Sequence, residues 1–125
     1  MKTTNAHFLM FKTFFDEWAD LFGLNDWDID VIHEDDEERN NALATTSGLI
    51  NQHQASIRMA KDWPKAFLNK DQIKRIALHE VLEVVLMECR VIGEARFIER
   101  NEMDRAVHVV IQRVSNLLLQ SLSGE

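Results

Sequence analysis

The sequence predicts one α+β domain over residues 1–125: an N-terminal helix, a short three-stranded sheet, and then two helices. Three changes of pattern support this order. Apolar residues recur at helical spacing between Ala6 and Phe22, alternate with polar residues from Trp27, and return to helical spacing after Asp71. The chain is long enough to bury one core, and no repeat or flexible linker divides it.

The first helix is predicted from about Ala6 to Phe22. One wide apolar stripe runs along it, made of Phe8, Phe11, Phe14, Phe15, Trp18, Leu21 and Phe22. Gly23 is expected to end the helix, because glycine readily takes the left-handed conformation that follows many helices.

The alternation from Trp27 to Ile32 predicts a half-buried first strand. Two further short strands are predicted, from Ala42 to Ile50 and from Ala55 to Ala60, with a turn between them at residues 51–54. The highly charged residues 33–41 are expected to form a solvated loop.

Two helices are predicted to complete the domain. Asn69 or Asp71 can cap a helix that carries the apolar run from Ile76 to Met87. The last helix is expected from about Asn101 to Leu119, with Val107, Ile111, Val114 and Leu118 on its apolar face.

Charge and composition exclude some functions. The formal net charge of -7 argues against nucleic acid as a partner, because such surfaces depend on clustered lysine and arginine. No apolar run is long enough to span a bilayer, and no signal-peptide core follows Met1. The lone Cys89 has no partner for an internal disulfide, which suits a reducing compartment. We therefore expect a soluble, cytoplasmic protein without a membrane partner.

The main candidate for chemistry is the pentad His79-Glu80-Val81-Leu82-Glu83. On a helix, His79 and Glu83 lie one turn apart and can hold one metal ion, while Glu80 stands beside them as a base. The pattern differs by one residue from His-Glu-x-x-His, in which two histidines bind zinc and the glutamate activates water.

The same residues have a simpler interpretation. Gln72, Arg75, His79, Glu83 and Arg90 fall on one arc of the helix, as in a water-facing stripe held by salt bridges to the arginines. Apolar residues flank this arc closely, which favours a cleft. A second pair four residues apart, Asp104 and His108 on the last helix, can supply a further metal ligand.

From Phe14 to Leu118 the sequence resembles the small zincin-like metallopeptidases, the minimal kind found in phage genomes and distantly related to SprT-type zinc proteases. The matching segments are Trp18 to Leu24, Asp26 to Ile29, Ala77 to Glu83, and a last helix with Asp104 and His108. The resemblance implies that His79 is a zinc ligand and Glu80 the general base. Glu83 stands where that family has its second histidine. The resemblance also implies a host cytoplasmic location if the protein is phage-encoded.

Two functions follow as hypotheses. The first is a metal-dependent peptidase with zinc held by His79, Glu83 and either His108 or Asp104, acting on a peptide substrate that pairs with the sheet edge. Because a carboxylate ligand lowers the Lewis acidity of zinc and favours harder metals, this activity is expected to be weak or lost. The alternative is a non-catalytic zincin-like domain that binds another protein.

Overall fold

The computed structural model describes residues 1–35, 42–87, 90 and 100–123, and it confirms the predicted α+β order. Its helices and strands are α1 (Asn5–Leu21), β1 (Asp28–His33), β2 (Ala44–Leu49), β3 (Gln54–Met59), α2 (Lys70–Val85) and α3 (Arg100–Ser123). The largest departure from the predicted bounds is the end of the last helix, which lies at Ser123 and not at Leu119. Cys89 and residues 36–41 of the predicted loop lie outside the described residues.

Local interactions explain where α1 begins and ends. Thr4 caps it, since its hydroxyl accepts from the His7 amide at 3.2 Å while the His7 ring accepts from the Thr4 amide at 3.0 Å. Gly23 has a φ of 72°, the left-handed conformation expected after a helix. The predicted stripe faces the core through Phe11, Phe15 and Trp18.

The sheet has the order β1-β3-β2, with β1 parallel and β2 antiparallel to β3. β2 is therefore an edge strand. Thr46 pairs with Ile57, which is fully buried. Because directly opposed side chains point to the same face of a sheet, Thr46 points inward toward α2.

Helix α2 occupies the centre of the domain, where α1, α3 and β2 all contact it. It starts after Asn69, whose side chain accepts from the Gln72 amide at 3.0 Å, so Asn69 is the cap and Asp71 is not. Seven of its residues are buried, and six of them are apolar: Ile73, Ala77, Leu78, Val81, Leu82 and Val84. The seventh is Glu80.

Helix α3 packs on α2 with the apolar face that its sequence predicts. Val107 and Ile111 are buried, and Val114 and Leu118 pack against the core. Arg75 of α2 also donates to the Asn116 side chain at 2.7 Å, which links the two helices at their polar margin. Among the described residues, no helix has the length and apolar character needed to cross a membrane.

Candidate metal centre

The polar stripe of α2 borders α3, and its residues differ in exposure, from the exposed Arg75 to the largely covered Glu83. Arg75 binds Asn116, while Arg90, just beyond α2, lies 3.3 Å from Asp104 through its Nε atom. Of the pentad side chains, Glu83 is 11% exposed and His79 33% exposed. The simpler interpretation is therefore right that the arginines pair with polar neighbours, and it holds for the exposed Arg75, whereas Glu83 is largely covered.

Helix packing brings together three residues that can bind metal: His79 and Glu83 of α2 and His108 of α3. One ligand atom from each lies within 4.8 Å of the other two. Glu83 Oε1 is central, at 3.5 Å from His79 Nε2 and 3.7 Å from His108 Nδ1. The two imidazole rings stack with their centroids 5.7 Å apart.

These distances are close to those of a tetrahedral zinc site. Ligand atoms about 2.0–2.1 Å from zinc lie about 3.3 Å from one another in a regular tetrahedron. The two distances from Glu83 Oε1, 3.5 and 3.7 Å, need to shorten only slightly to reach that value. Two neutral nitrogens and one carboxylate oxygen form a donor set known from catalytic zinc sites, which keep a fourth position open. The three residues could therefore hold a metal ion.

The two oxygens of Glu83 have different partners. Oε1 faces His79 and His108, whereas Oε2 lies 3.1 Å from Arg90 Nη2. Arg90 also contacts Asp104, so the guanidinium bridges the two carboxylates. Asp104, proposed from the sequence as an alternative to His108, is thus placed beside Arg90 and outside the group of three.

Charge and hydrogen bonding shift the pKa values of the two α2 ligands in opposite directions. The hydrogen bond with Glu83 raises the pKa of His79, although burial acts against it. Burial raises the pKa of Glu83, but the bond to His79 and the positive charge of Arg90 outweigh it, and the pKa falls below its ordinary value. Without a metal, the contact therefore favours the charged form of each group.

Glu80 has the surroundings of a general base. Its side chain is buried, at 4% exposure, and its Oε1 accepts a hydrogen bond from Thr46 Oγ1 at 3.1 Å. Burial raises its pKa from 4.5 to about 7, helped by the charge of Glu83 and opposed by that of His79 and by the Thr46 bond. A carboxylate with a pKa near neutrality is suited to accept a proton and release it again.

The histidines and both glutamates line a cleft of about 360 Å³. Its opposite wall is β2 and the residues just before it, and the full lining is Ala42, Leu43, Ala44, Thr45, Thr46, Ile76, His79, Glu80, Glu83 and His108. A larger groove of about 450 Å³ lies on the outer face of the sheet, but it holds none of the residues that the sequence singles out. The candidate site residues line the smaller cleft.

No protein-family model matches the chain, and no curated protein or solved structure matches it either. The resemblance to zincin-like metallopeptidases therefore stays a prediction from the sequence.

Sequence reasoning missed the role of Thr46. Threonine is common in strands, and nothing in the local sequence marks this residue as the donor to Glu80. The register of β2 against β3 alone turns it toward α2. Arg90 was recognised as a partner for the acidic stripe, but its simultaneous contact with Glu83 and Asp104 depends on helix packing.

Proposed function

We propose that this protein is a metal-dependent hydrolase of peptides, with His79, Glu83 and His108 as metal ligands and Glu80 as general base. The observation that carries the proposal is the convergence of two histidines and a carboxylate beside a buried glutamate in one cleft. Zinc is the metal that this donor set fits best.

A metal ion held by His79, Glu83 and His108 would supply Lewis acidity for hydrolysis. Glu80 removes the proton from the attacking water and later delivers it to the leaving amine. Its burial keeps the pKa close to neutrality, and Thr46 fixes its orientation. His79 and Glu83 hold their geometry because they lie one turn apart on a single rigid helix.

The edge strand β2 provides a place for an extended substrate. Leu43 accepts from the Ala60 amide at 2.9 Å, so alternation in an antiparallel pair turns the backbone groups of Ala44 and Thr46 away from β3. A peptide that pairs with this edge would pass directly beside Glu80 and the three ligands.

A non-catalytic, protein-binding role is the second candidate, and one observation favours it. Glu83 already pairs with Arg90 at 3.1 Å and contacts His79 at 3.5 Å, so its carboxylate has partners without a metal. A domain of this kind would keep the cleft as a peptide-docking groove.

Calorimetric titration with Zn²⁺, followed by assay against a mixed peptide library, separates these functions. The hydrolase proposal expects one equivalent of zinc, loss of binding in His79→Ala, and cleavage that disappears in Glu80→Gln while zinc binding remains. Zinc binding without cleavage of any peptide would favour the docking role. Absence of zinc binding in the parent protein would overturn the metal site itself.

A further inference from the structure

We propose that Arg90 is a positioning residue that holds Glu83 as a single-oxygen ligand and thereby makes the site selective for a four-coordinate metal of the zinc type. This inference rests on the metal site of the proposed function. Arg90, which is not itself a ligand, would determine which metal the site prefers.

The two oxygens of Glu83 face different partners. Its Oε2 is engaged by Arg90 Nη2 at 3.1 Å, and only Oε1 points to His79 and His108. A carboxylate whose second oxygen is ion-paired with a guanidinium is restrained from turning both oxygens to a metal. The protein then contributes three ligand atoms, which leaves one tetrahedral position open.

Arg90 is itself held in place. Its guanidinium lies between Glu83 and Asp104, and its side chain is 29% exposed. The Nε atom is buried without a well-aligned hydrogen-bond partner among the described residues, so its 3.3 Å contact with Asp104 acts mainly through charge. A planar guanidinium can bridge two carboxylates in this way, whereas a lysine ammonium has no such fork.

Arg90 also offsets the negative charge of Glu83. An isolated carboxylate in place of histidine adds negative charge and favours harder metals. Here the Arg90 guanidinium offsets that charge at Glu83, which is 11% exposed, so solvent screens the pair little. Asp104 competes for the same cation, but it is 39% exposed and its own charge is more strongly screened by water. The Glu83–Arg90 pair thus approaches the net charge of a neutral ligand.

The site should therefore prefer zinc, although a carboxylate ligand by itself favours harder metals. Mn²⁺ and Ca²⁺ favour more oxygen ligands and higher coordination numbers, which a two-oxygen Glu83 would help to supply. With Oε2 held by Arg90, the site offers too few oxygens for these ions and suits Zn²⁺ or Co²⁺.

The test compares Arg90→Gln with Arg75→Gln in the full chain. Both arginines contact α3, but Arg75 donates to Asn116, whereas Arg90 pairs with the ligand Glu83. Zinc and manganese affinities are measured by calorimetry, and coordination number is measured from the visible spectrum of the Co²⁺-loaded protein. Arg90→Lys serves as a second variant that keeps the charge, and circular dichroism establishes that each variant is folded.

We expect Arg90→Gln to lower the ratio of zinc to manganese affinity by about 10- to 100-fold, the usual effect of removing a partner of a metal ligand. Its Co²⁺ spectrum should weaken from the intense bands of a four-coordinate ion to those of a higher coordination number. Arg90→Lys should give an intermediate ratio, and Arg75→Gln should match the parent.

If both Arg90 variants kept the zinc-to-manganese affinity ratio and the Co²⁺ spectrum of the parent protein, this inference would be overturned. The metal site itself would still stand. An equal loss in Arg75→Gln would also overturn the inference, because the effect would then come from helix packing. A parent protein that binds none of the three ions would instead reject the proposed function, which separates the two failures.

Discussion

Thr46 on the edge strand donates a hydrogen bond to Glu80 on α2, with Oγ1 and Oε1 3.1 Å apart. The bond joins the wall along which a substrate would lie to the residue that would act as base. It is also the polar contact that supports a carboxylate exposed to only 4%.

Removal of this hydrogen bond should destabilise the protein when Glu80 is ionised. Thr46→Val keeps the shape of the side chain but leaves the buried carboxylate without its donor, at a cost of about 1–3 kcal/mol. Chemical unfolding at about pH 8 of Thr46→Val, Glu80→Gln and the double variant measures the coupling between the two residues. The amide oxygen introduced by Glu80→Gln can also accept this bond, so an equal cost of the threonine substitution with Glu80 or Gln at position 80 would show that the carboxylate charge adds nothing to it.

Replacement of Glu80 itself should stabilise the metal-free protein at alkaline pH. The folded pKa is raised from 4.5 to about 7, so the folded state retains a proton that the unfolded state has lost. The free energy of unfolding therefore falls as the pH rises from 4.5 to about 7 and is constant above that range. The total loss is about 3 kcal/mol.

Melting temperatures of parent and Glu80→Gln, measured in chelator across this window, test that expectation. The variant should melt increasingly above the parent as pH rises through the range from 4.5 to about 7. Glu17→Gln removes an exposed carboxylate from α1 and controls for net charge. If the melting temperatures of the parent and Glu80→Gln changed equally with pH, a buried ionisable group at position 80 would be contradicted.

His108 and Asp104 should differ in their effect on zinc affinity. His108 lies in the group of three ligands, whereas Asp104 acts only through Arg90. We expect Asp104→Asn to weaken zinc by no more than about 10- to 100-fold, as for a residue outside the ligand set, and His108→Ala to weaken it further. Competition titrations against a chromogenic chelator measure both. The opposite ranking would make Asp104 the third ligand.

His33 should make the fold sensitive to mild acid, although it does not line the cleft. Its Nε2 lies 2.6 Å from the Thr3 hydroxyl, which itself donates to the Ala60 carbonyl, so the ring must donate to Thr3. Burial lowers its pKa below 6.5, and the charge of Lys61 adds to that effect.

Because the folded pKa is depressed, the unfolded chain binds the proton first as the solution is acidified. The stability that neutral His33 contributes is therefore present above pH 6.5. It is lost as the pH falls from 6.5 toward the lower pKa of the folded state. His33→Gln should lose less stability over this interval than the parent. Thermal melts of the two proteins from neutral to mildly acidic pH provide the measurement, and identical acid losses would contradict the assignment.

The order of elements was predictable because each depends on a local pattern. The stripe that includes Phe11 and Phe15 and the alternation before His33 are properties of neighbouring residues. Strand pairing is not local. Nothing in the sequence states that β3 lies between β1 and β2, and this arrangement alone makes β2 an edge and turns Thr46 toward Glu80.

The candidate site was predictable to the same degree. Helical spacing placed His79 and Glu83 together, and the structure adds His108 from α3. The choice between His108 and Asp104, and the bridge made by Arg90, depend on how α3 packs against α2, which a one-dimensional pattern does not encode.

A crystal structure of the zinc-soaked protein, with anomalous diffraction collected at the zinc edge, tests the central claim most directly. The account predicts one ion about 2.0–2.2 Å from His79 Nε2, His108 Nδ1 and Glu83 Oε1, with Arg90 still bound to Glu83 Oε2. An ion bound elsewhere, or no ion in the cleft at saturating zinc, would contradict the account.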